Sequence, residues 1–107
     1  MESLGPVKVA DYGLRDNKVW VKFEFGLIIQ FGTVWISATR SWELVSIPMA
    51  FSNNDSFAVV ASDVASYERN GAHVITAAGV DGDGSKIAIY VHSDDSPTEV
   101  GYIAVGY

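Results

Sequence analysis

The feature of this sequence that most restricts its fold is a period-two alternation of apolar residues that recurs along the chain. In residues 19–25, Val19, Val21, Phe23 and Phe25 fall on one face of an extended segment. Successive side chains of a β-strand point to opposite faces of a sheet, so this segment is predicted to be a strand. The same alternation predicts four later strands, in Val45/Ile47/Met49/Phe51, Phe57/Val59/Ala61, Ile87/Ile89/Val91 and Ile103/Val105/Tyr107.

The stretches between these segments are short and polar. They fall at residues 52–55, 68–71, 81–85 and 93–97 and are rich in Asn, Asp, Gly and Ser, which turns favour. No window of 12 residues carries a clean helical stripe with caps. Short strands separated by turns at this spacing predict an all-β fold, an antiparallel β-sandwich.

The composition excludes several classes of protein. A chain of 107 residues with 49% hydrophobic content is one domain with its own core. The absence of cysteine excludes disulfides, thiolate metal sites and cysteine nucleophiles. A net charge of -6 without a Lys/Arg cluster disfavours nucleic acid as a partner. The longest uncharged run, 25–39, is shorter than the about 20 apolar residues of a spanning helix, so we expect no membrane insertion.

Three stretches carry a resemblance to a known family. Residues 26–32 (GLIIQFG), 47–52 (IPMAFS) and 101–107 (GYIAVGY) resemble, in order and spacing, motifs of the C-terminal domains of bacteriophage and prophage tail fibres. Phe31, Ile47 and Tyr102 depart from the usual pattern but remain large and apolar. The resemblance implies that 26–107 is the β-sandwich of a fibre tip. Residues 1–25 match less clearly and are interpreted as N-terminal strand or strands and the junction to a fibre shaft, within one domain overall.

Glycine and proline positions refine the predicted strands. Gly26 and Gly32 flank Leu27 to Phe31 and mark bends or close backbone approaches at the strand ends, because glycine alone reaches positive φ cheaply. Residues 26–32 are therefore predicted to be a short buried strand between two corners. Pro48 lacks a backbone donor. The segment 43–51 is therefore predicted to lie at a sheet edge or to bend midway.

The final strand, 101–107, carries apolar groups on both faces and therefore needs cover on both. One face can pack within the sandwich, and copies of the chain about a threefold axis can cover the other, so the terminus is predicted to be pinned in a core or an interface. The alternative is that the excess apolar residues belong to the core of a second sheet. The fibre resemblance implies a homotrimer. The candidate interface residues are Trp20, Leu44, Tyr102 and Tyr107, with Trp35 or Ile36 on the same predicted face.

No pattern of residues points to catalysis, a metal or a cofactor. His73 and His92 are interpreted as solvent-facing strand residues, although one histidine per chain on a threefold axis could form a three-nitrogen site. Residues 81–85 (DGDGS) begin like a calcium loop but lack the closing glutamate, so a glycine-rich hairpin turn is predicted. The paired carboxylates are interpreted as turn residues.

Recognition by loops remains as the predicted function. Successive antiparallel connections fall at opposite ends of a domain, so the loops at 38–42, 63–71 and 93–99 are predicted to share one end and those at 51–55 and 80–85 the other. The first group combines aromatic, amide, carboxylate and guanidinium groups, an inventory that suits a sugar. Its candidate receptor-binding residues are Arg40, Trp42, Tyr67, Arg69, Asn70, Asp94 and Asp95.

The resemblance implies a non-enzymatic receptor-binding tip on a virion, joined to the rest of a tail fibre and binding a bacterial surface glycan or outer-membrane protein. A small polysaccharide depolymerase is one alternative. A trimerisation and folding cap for the fibre is another, and it is compatible with receptor binding. The N-terminus, MESLGPVKV, lacks the pattern of a secretory signal, so we expect synthesis in the host cytoplasm, or a fragment with an added methionine.

Overall fold

The computed structural model describes residues 7–53, 55–64, 73–94 and 97–107, and all regular structure in these ranges is β. Nothing in them forms a helix long and apolar enough to cross a membrane. The eight strands are β1 (Val9–Arg15), β2 (Lys18–Phe23), β3 (Ile28–Ile36), β4 (Trp42–Ser46), β5 (Phe57–Asp63), β6 (Ile75–Val80), β7 (Asp83–Val91) and β8 (Thr98–Gly106). The predicted all-β class is confirmed.

The strands form two antiparallel sheets. The large sheet has five strands in the order β1-β2-β3-β8-β5, and the small sheet has three in the order β4-β7-β6. Their inner faces enclose one core, as predicted for a sandwich. The buried apolar residues are Ile28, Ile36, Val45, Ile47, Phe51, Ile87, Ala88, Ile89, Val91, Val100, Tyr102 and Ala104.

One polar side chain ties the two halves of the core together. Gln30 on β3 is completely buried. Its Nε2 donates a hydrogen bond to the Met49 carbonyl at 2.8 Å, and the Met49 N–H donates to its Oε1 at 3.1 Å. Met49 lies beyond the end of β4, where no neighbouring strand pairs with its backbone. The Gln30 side chain satisfies both backbone groups of Met49 instead.

Pro48 lies just beyond the end of a strand, whereas Gly32 lies inside one. β4 is an edge strand that ends at Ser46, as Pro48 predicted, and Ile47 and Phe51 are buried beyond it without strand pairing. Gly26, with φ 106°, forms a bend, whereas Gly32 marks the predicted alternative, a close approach of backbones, and the strand does not end there. Gly32 lies inside β3, where a Cβ would fall 2.7 Å from the Asn17 carbonyl oxygen. It is needed for close backbone approach, so β3 continues to Ile36.

The prediction of which strand faces are buried is wrong for β2 and β8 of the large sheet, although Phe57, Val59 and Ala61 of β5 pack against the core as predicted. Ile103 and Val105 of β8 are 42% and 39% exposed, whereas Tyr102 is 4% exposed in the core. In β2, Trp20 pairs with the inward-facing Gln30, so it also faces inward. Alternation distinguishes the two faces of a strand, but it does not tell which one the second sheet covers when both are apolar.

The last strand lies inside the large sheet, between β3 and β5. β8 pairs with β3 along nine residues and with β5 along seven. The Tyr107 carbonyl accepts hydrogen bonds from Ser52 N–H, at 3.0 Å, and from the Ser56 hydroxyl. The prediction that this segment is pinned in the core is confirmed for the inner face of β8.

Candidate functional site

The loops that the sequence places at one end of the domain do meet there. In the loop between β3 and β4, Arg40 N–H donates to the Val91 carbonyl at the end of β7. Val64, after β5, donates its N–H to Glu99 near the start of β8. At the opposite end, Phe51 N–H donates to the carbonyl of Gly84, near the start of β7. The predicted division of the loops between two ends is confirmed for the described residues.

An exposed ion pair marks the first end. Arg40 Nε lies 2.8 Å from Asp94 Oδ1, and the two side chains are 60% and 83% exposed. The backbone of Arg40 is left-handed, with φ 50°. Hydrogen bonding to Asp94 raises the pKa of the Arg40 guanidinium. The predicted partners Tyr67, Arg69, Asn70 and Asp95 lie outside the described residues.

Three rings line up on the outer face of the small sheet beside this pair. Trp42, 50% exposed, is the cross-strand neighbour of Tyr90, and their ring centroids lie 5.4 Å apart, edge to face. The Tyr90 ring lies 4.4 Å from that of His92. His92 Nε2 lies 2.8 Å from Thr76 Oγ1, which fixes the imidazole. We call Trp42, Tyr90 and His92 the aromatic row.

Sequence reasoning found only part of this site. Trp42 was predicted from its loop, and His92 is solvent-exposed as predicted. Tyr90 and Thr76 were missed because strand pairing, which joins them to Trp42 and His92, is not visible in sequence order. The interpretation of His73 as solvent-facing is wrong, because it is half-buried with its Nδ1 2.8 Å from Asp63 Oδ2.

The aromatic row and the ion pair together offer the groups of a carbohydrate site. Exposed rings present flat apolar surface, and the hydroxyl, imidazole, guanidinium and carboxylate beside them donate and accept hydrogen bonds. In the described part of the chain, no three His, Asp or Glu residues are grouped to hold a metal ion. The DGDGS stretch forms the predicted hairpin turn, with Gly82 at φ 71°.

The outer face of the large sheet carries a second surface of different character. Two rows of side chains cross all five strands, and every member is apolar. The first row is Leu14–Val19–Phe31–Ile103–Val60, and the second is Tyr12–Val21–Ile29–Val105–Ala58. We call these ten residues the apolar face. Several members stand in solvent, including Tyr12 at 75% exposure, Val60 at 64% and Phe31 at 48%.

The four predicted interface residues fall on three different surfaces. Tyr107, 65% exposed, directly follows β8 beside the apolar face. Leu44, 55% exposed, lies on the opposite outer face, in β4. Trp20 and Tyr102 face inward, because β2 and β8 present their odd-numbered residues to the outside, so neither side chain lies on an outer face of the sandwich.

The chain is similar to known fibre proteins. A family model described as "Putative tail fiber protein gp53-like, C-terminal" matches residues 22–107, and no curated protein sequence matches the chain. An N-truncated R2-type pyocin tail fibre is 16% identical with a TM-score of 0.72, over 95% of this chain and 38% of the other. A C-terminal portion of the P. aeruginosa R2 pyocin fibre is 15% identical, with a TM-score of 0.70, over 95% and 26%.

An N-truncated R1-type pyocin tail fibre is 18% identical with a TM-score of 0.54, over 95% of this chain and 86% of the other. At these identities the likeness concerns the fold alone. The chain spans little more than a third of the R2-type fibre and about a quarter of the P. aeruginosa portion.

Proposed function

The chain belongs to the family of gp53-like tail fibre C-terminal domains, and we propose that it is a fibre tip that binds a bacterial surface receptor without catalysis. The observation that carries this proposal is that its two outer faces differ in chemical character. The apolar face of the large sheet suits contacts between copies, and the aromatic row on the other side of the sandwich suits a ligand.

The proposed assembly is a homotrimer built on the apolar face. Ten apolar side chains in two unbroken rows form a surface much larger than the scattered exposed residues of an ordinary monomer. Closed symmetry covers such a face in every copy and leaves no open-ended contact. In this arrangement the small sheet points away from the threefold axis, so the aromatic row stays accessible in all three copies.

The proposed receptor is a neutral surface glycan bound at the aromatic row. A pyranose has one apolar C–H face, which matches the rings of Trp42 and Tyr90, and paired hydroxyls, which match the Arg40–Asp94 pair. The ion pair is neutral overall and the chain carries a net charge of -6, so a neutral sugar fits better than an anionic polymer. Three such sites per trimer raise the effective concentration, so each site needs only weak affinity.

The site is tested by adsorption of the purified domain to host cells. Trp42→Ala and Tyr90→Ala are each expected to reduce adsorption at least about tenfold, since a stacked ring contributes about 1–3 kcal/mol per site by analogy with base stacking. Ser46→Ala, on the same outer face but beyond the aromatic row, is the matched control. Sedimentation of each variant shows whether the trimer persists. Unchanged adsorption by both ring variants would remove this site from consideration.

Binding is distinguished from catalysis by the fate of the glycan. Incubating the domain with purified host polysaccharide is expected to yield no new reducing ends. New reducing ends would contradict the proposal and support the alternative, a polysaccharide depolymerase.

We further propose that the domain is virion-associated after synthesis in the host cytoplasm. Residues 1–25 are proposed to include the junction to the fibre shaft, although β1 and β2 belong to the same sheet as the rest of the domain.

A further inference from the structure

The two ends of the apolar face have opposite shapes. At the β1 edge, Tyr12 and Leu14 are 75% and 72% exposed and project from the sheet. Toward the β5 edge lies a depression of about 460 Å³. Its walls include Gly101, Val60, Ser62 and Ile103.

The depression exists because Gly101 has no side chain on the outward-facing side of β8. Its neighbours Val100 and Tyr102 both face the core, so a side chain at this position would point outward. A Cβ built there would meet only Val64 Cγ2, at 3.5 Å, and the Gly32 carbonyl oxygen, at 3.9 Å. Both are ordinary contact distances, so the described residues leave space here that their own packing does not need.

We propose that, in the homotrimer, Leu14 and Tyr12 of each copy pack into the Gly101 depression of the next copy. The inference rests on the trimer of the proposed function and names the contact that closes it. Leu14 and Val60 are the two ends of one apolar row, so projection and depression lie at nearly the same height on opposite edges of the sheet. A contact between two different patches of identical chains closes into a ring when the rotation allows.

The β1 edge of a chain cannot reach the depression of the same chain. β1 and β5 are separated by three intervening strands, and strands lie about 4.8 Å apart, so about 19 Å separates the two edges. A second copy of the chain is the occupant that accounts for both ends of the rows at once. An unrelated apolar ligand would account for the depression but leave Tyr12 and Leu14 uncovered.

The absence of cysteine from the chain makes a direct test possible. In the double variant Leu14→Cys/Ser62→Cys, the two thiols are too far apart to pair within one chain, because a disulfide requires Cα atoms within about 7 Å. Oxidation is expected to give covalent dimers and trimers, and no larger species, on a non-reducing gel. Leu14→Cys/Ser46→Cys, with the second thiol on the small sheet's outer face, is the matched control and is expected to stay uncrosslinked.

A second variant keeps the inference testable if the cysteines disturb folding. Gly101→Leu fills the depression from within the chain and is expected to weaken the trimer at least about tenfold, measured by sedimentation over a dilution series. Gly101→Ala, whose Cβ makes only ordinary contacts, is expected to change it little.

The outcomes separate the two proposals. A trimer that does not crosslink and tolerates Gly101→Leu would contradict the packing of Leu14 and Tyr12 into the Gly101 depression, but it would not contradict the homotrimer. A folded protein that sediments as a monomer at all concentrations would overturn the homotrimer itself.

Discussion

The inner and outer faces of the large sheet differ in a way opposite to the usual expectation. The inner face, which the small sheet covers, includes the buried polar residues Gln30 and Thr98 and the small residue Ala104. The outer face, which no other described residues cover, is apolar in all ten positions of its two rows. The face that the chain covers itself can use specific hydrogen bonds, whereas the face left to other copies relies on apolar contact.

The width of the two sheets explains where the inner face becomes polar. Three strands cannot cover five, and the hairpin of β1 and β2 extends past the small sheet. Its inward positions include Asp11, Arg15, Lys18 and Lys22. Lys18 Nζ donates to the Ser46 carbonyl at 2.8 Å and so braces the hairpin against the edge of the small sheet. Polar residues therefore mark where the cover from the small sheet ends.

The contrast between the two faces of the large sheet depends on the outer face being an interface between copies. Phe31→Asp places a charge at the centre of the first apolar row, and burying an unpaired carboxylate costs several kcal/mol or more. The variant is expected to sediment as a folded monomer at micromolar concentration, with its β circular dichroism retained. Leu44→Asp, equally exposed but on the small sheet, is the control and should remain trimeric. A trimeric Phe31→Asp variant would contradict the assignment.

The inner face is tested by removing its polar link. Gln30→Leu preserves most of the volume but leaves the Met49 N–H and carbonyl unpaired. We expect the free energy of unfolding to fall by about 2–4 kcal/mol, at about 1–2 kcal/mol for each partly buried group. Urea denaturation measures it, ideally in the monomeric Phe31→Asp background. Ile29→Leu, the outward neighbour, should cost less than about 1.5 kcal/mol. Equal losses in the two variants would remove the distinction between the faces.

Tyr102 provides a smaller test that depends on pH. Its buried hydroxyl has no hydrogen-bond partner among the described residues, and burial raises the pKa of Tyr102 to about 12. The folded state favours the protonated phenol. The free energy of unfolding therefore keeps its full value below pH 10 and falls as the pH rises toward 12. The loss amounts to about 2–3 kcal/mol.

Tyr102→Phe is expected to abolish that part of the pH dependence. It should also raise stability near pH 7 by about 1 kcal/mol, because no unpaired hydroxyl remains buried. Urea denaturation of both proteins at pH 8 and pH 11 measures the difference, and Tyr90→Phe, at a half-exposed site, should behave like the parent protein. A parallel decline of parent and Tyr102→Phe would show that the phenol is not held in its neutral form.

The sequence predicts the strands better than the surfaces. Ile87, Ile89 and Val91 alternate cleanly because they lie in the central strand of the small sheet, which has one covered face. β6 and β1 were not individually predicted, since ITAAGV and VADYGLR contain small or charged residues that blur the alternation. In β8 both faces are apolar, so alternation alone did not identify the outward one.

The candidate site was predictable only in its loops. Arg40 and Asp94 lie in connections that antiparallel order places at the same end, and they do meet. Tyr90 and Thr76 join the site through the register of β4 and β6 on β7, a non-local property. The depression at Gly101 depends likewise on its pairing with Thr33 and Ser62. Such juxtapositions become visible only once the sheets are assembled.

The position of β8 has a consequence for biosynthesis. β3 and β5 have no direct pairing and are joined only through β8, the last of the eight strands to be translated. While the ribosome is still making the chain, both strands therefore present open edges that invite intermolecular pairing. The large sheet closes only after residues 98–106 have emerged, so folding of the domain waits for its last strand, and chains truncated before β8 are expected to be lost to aggregation or proteolysis.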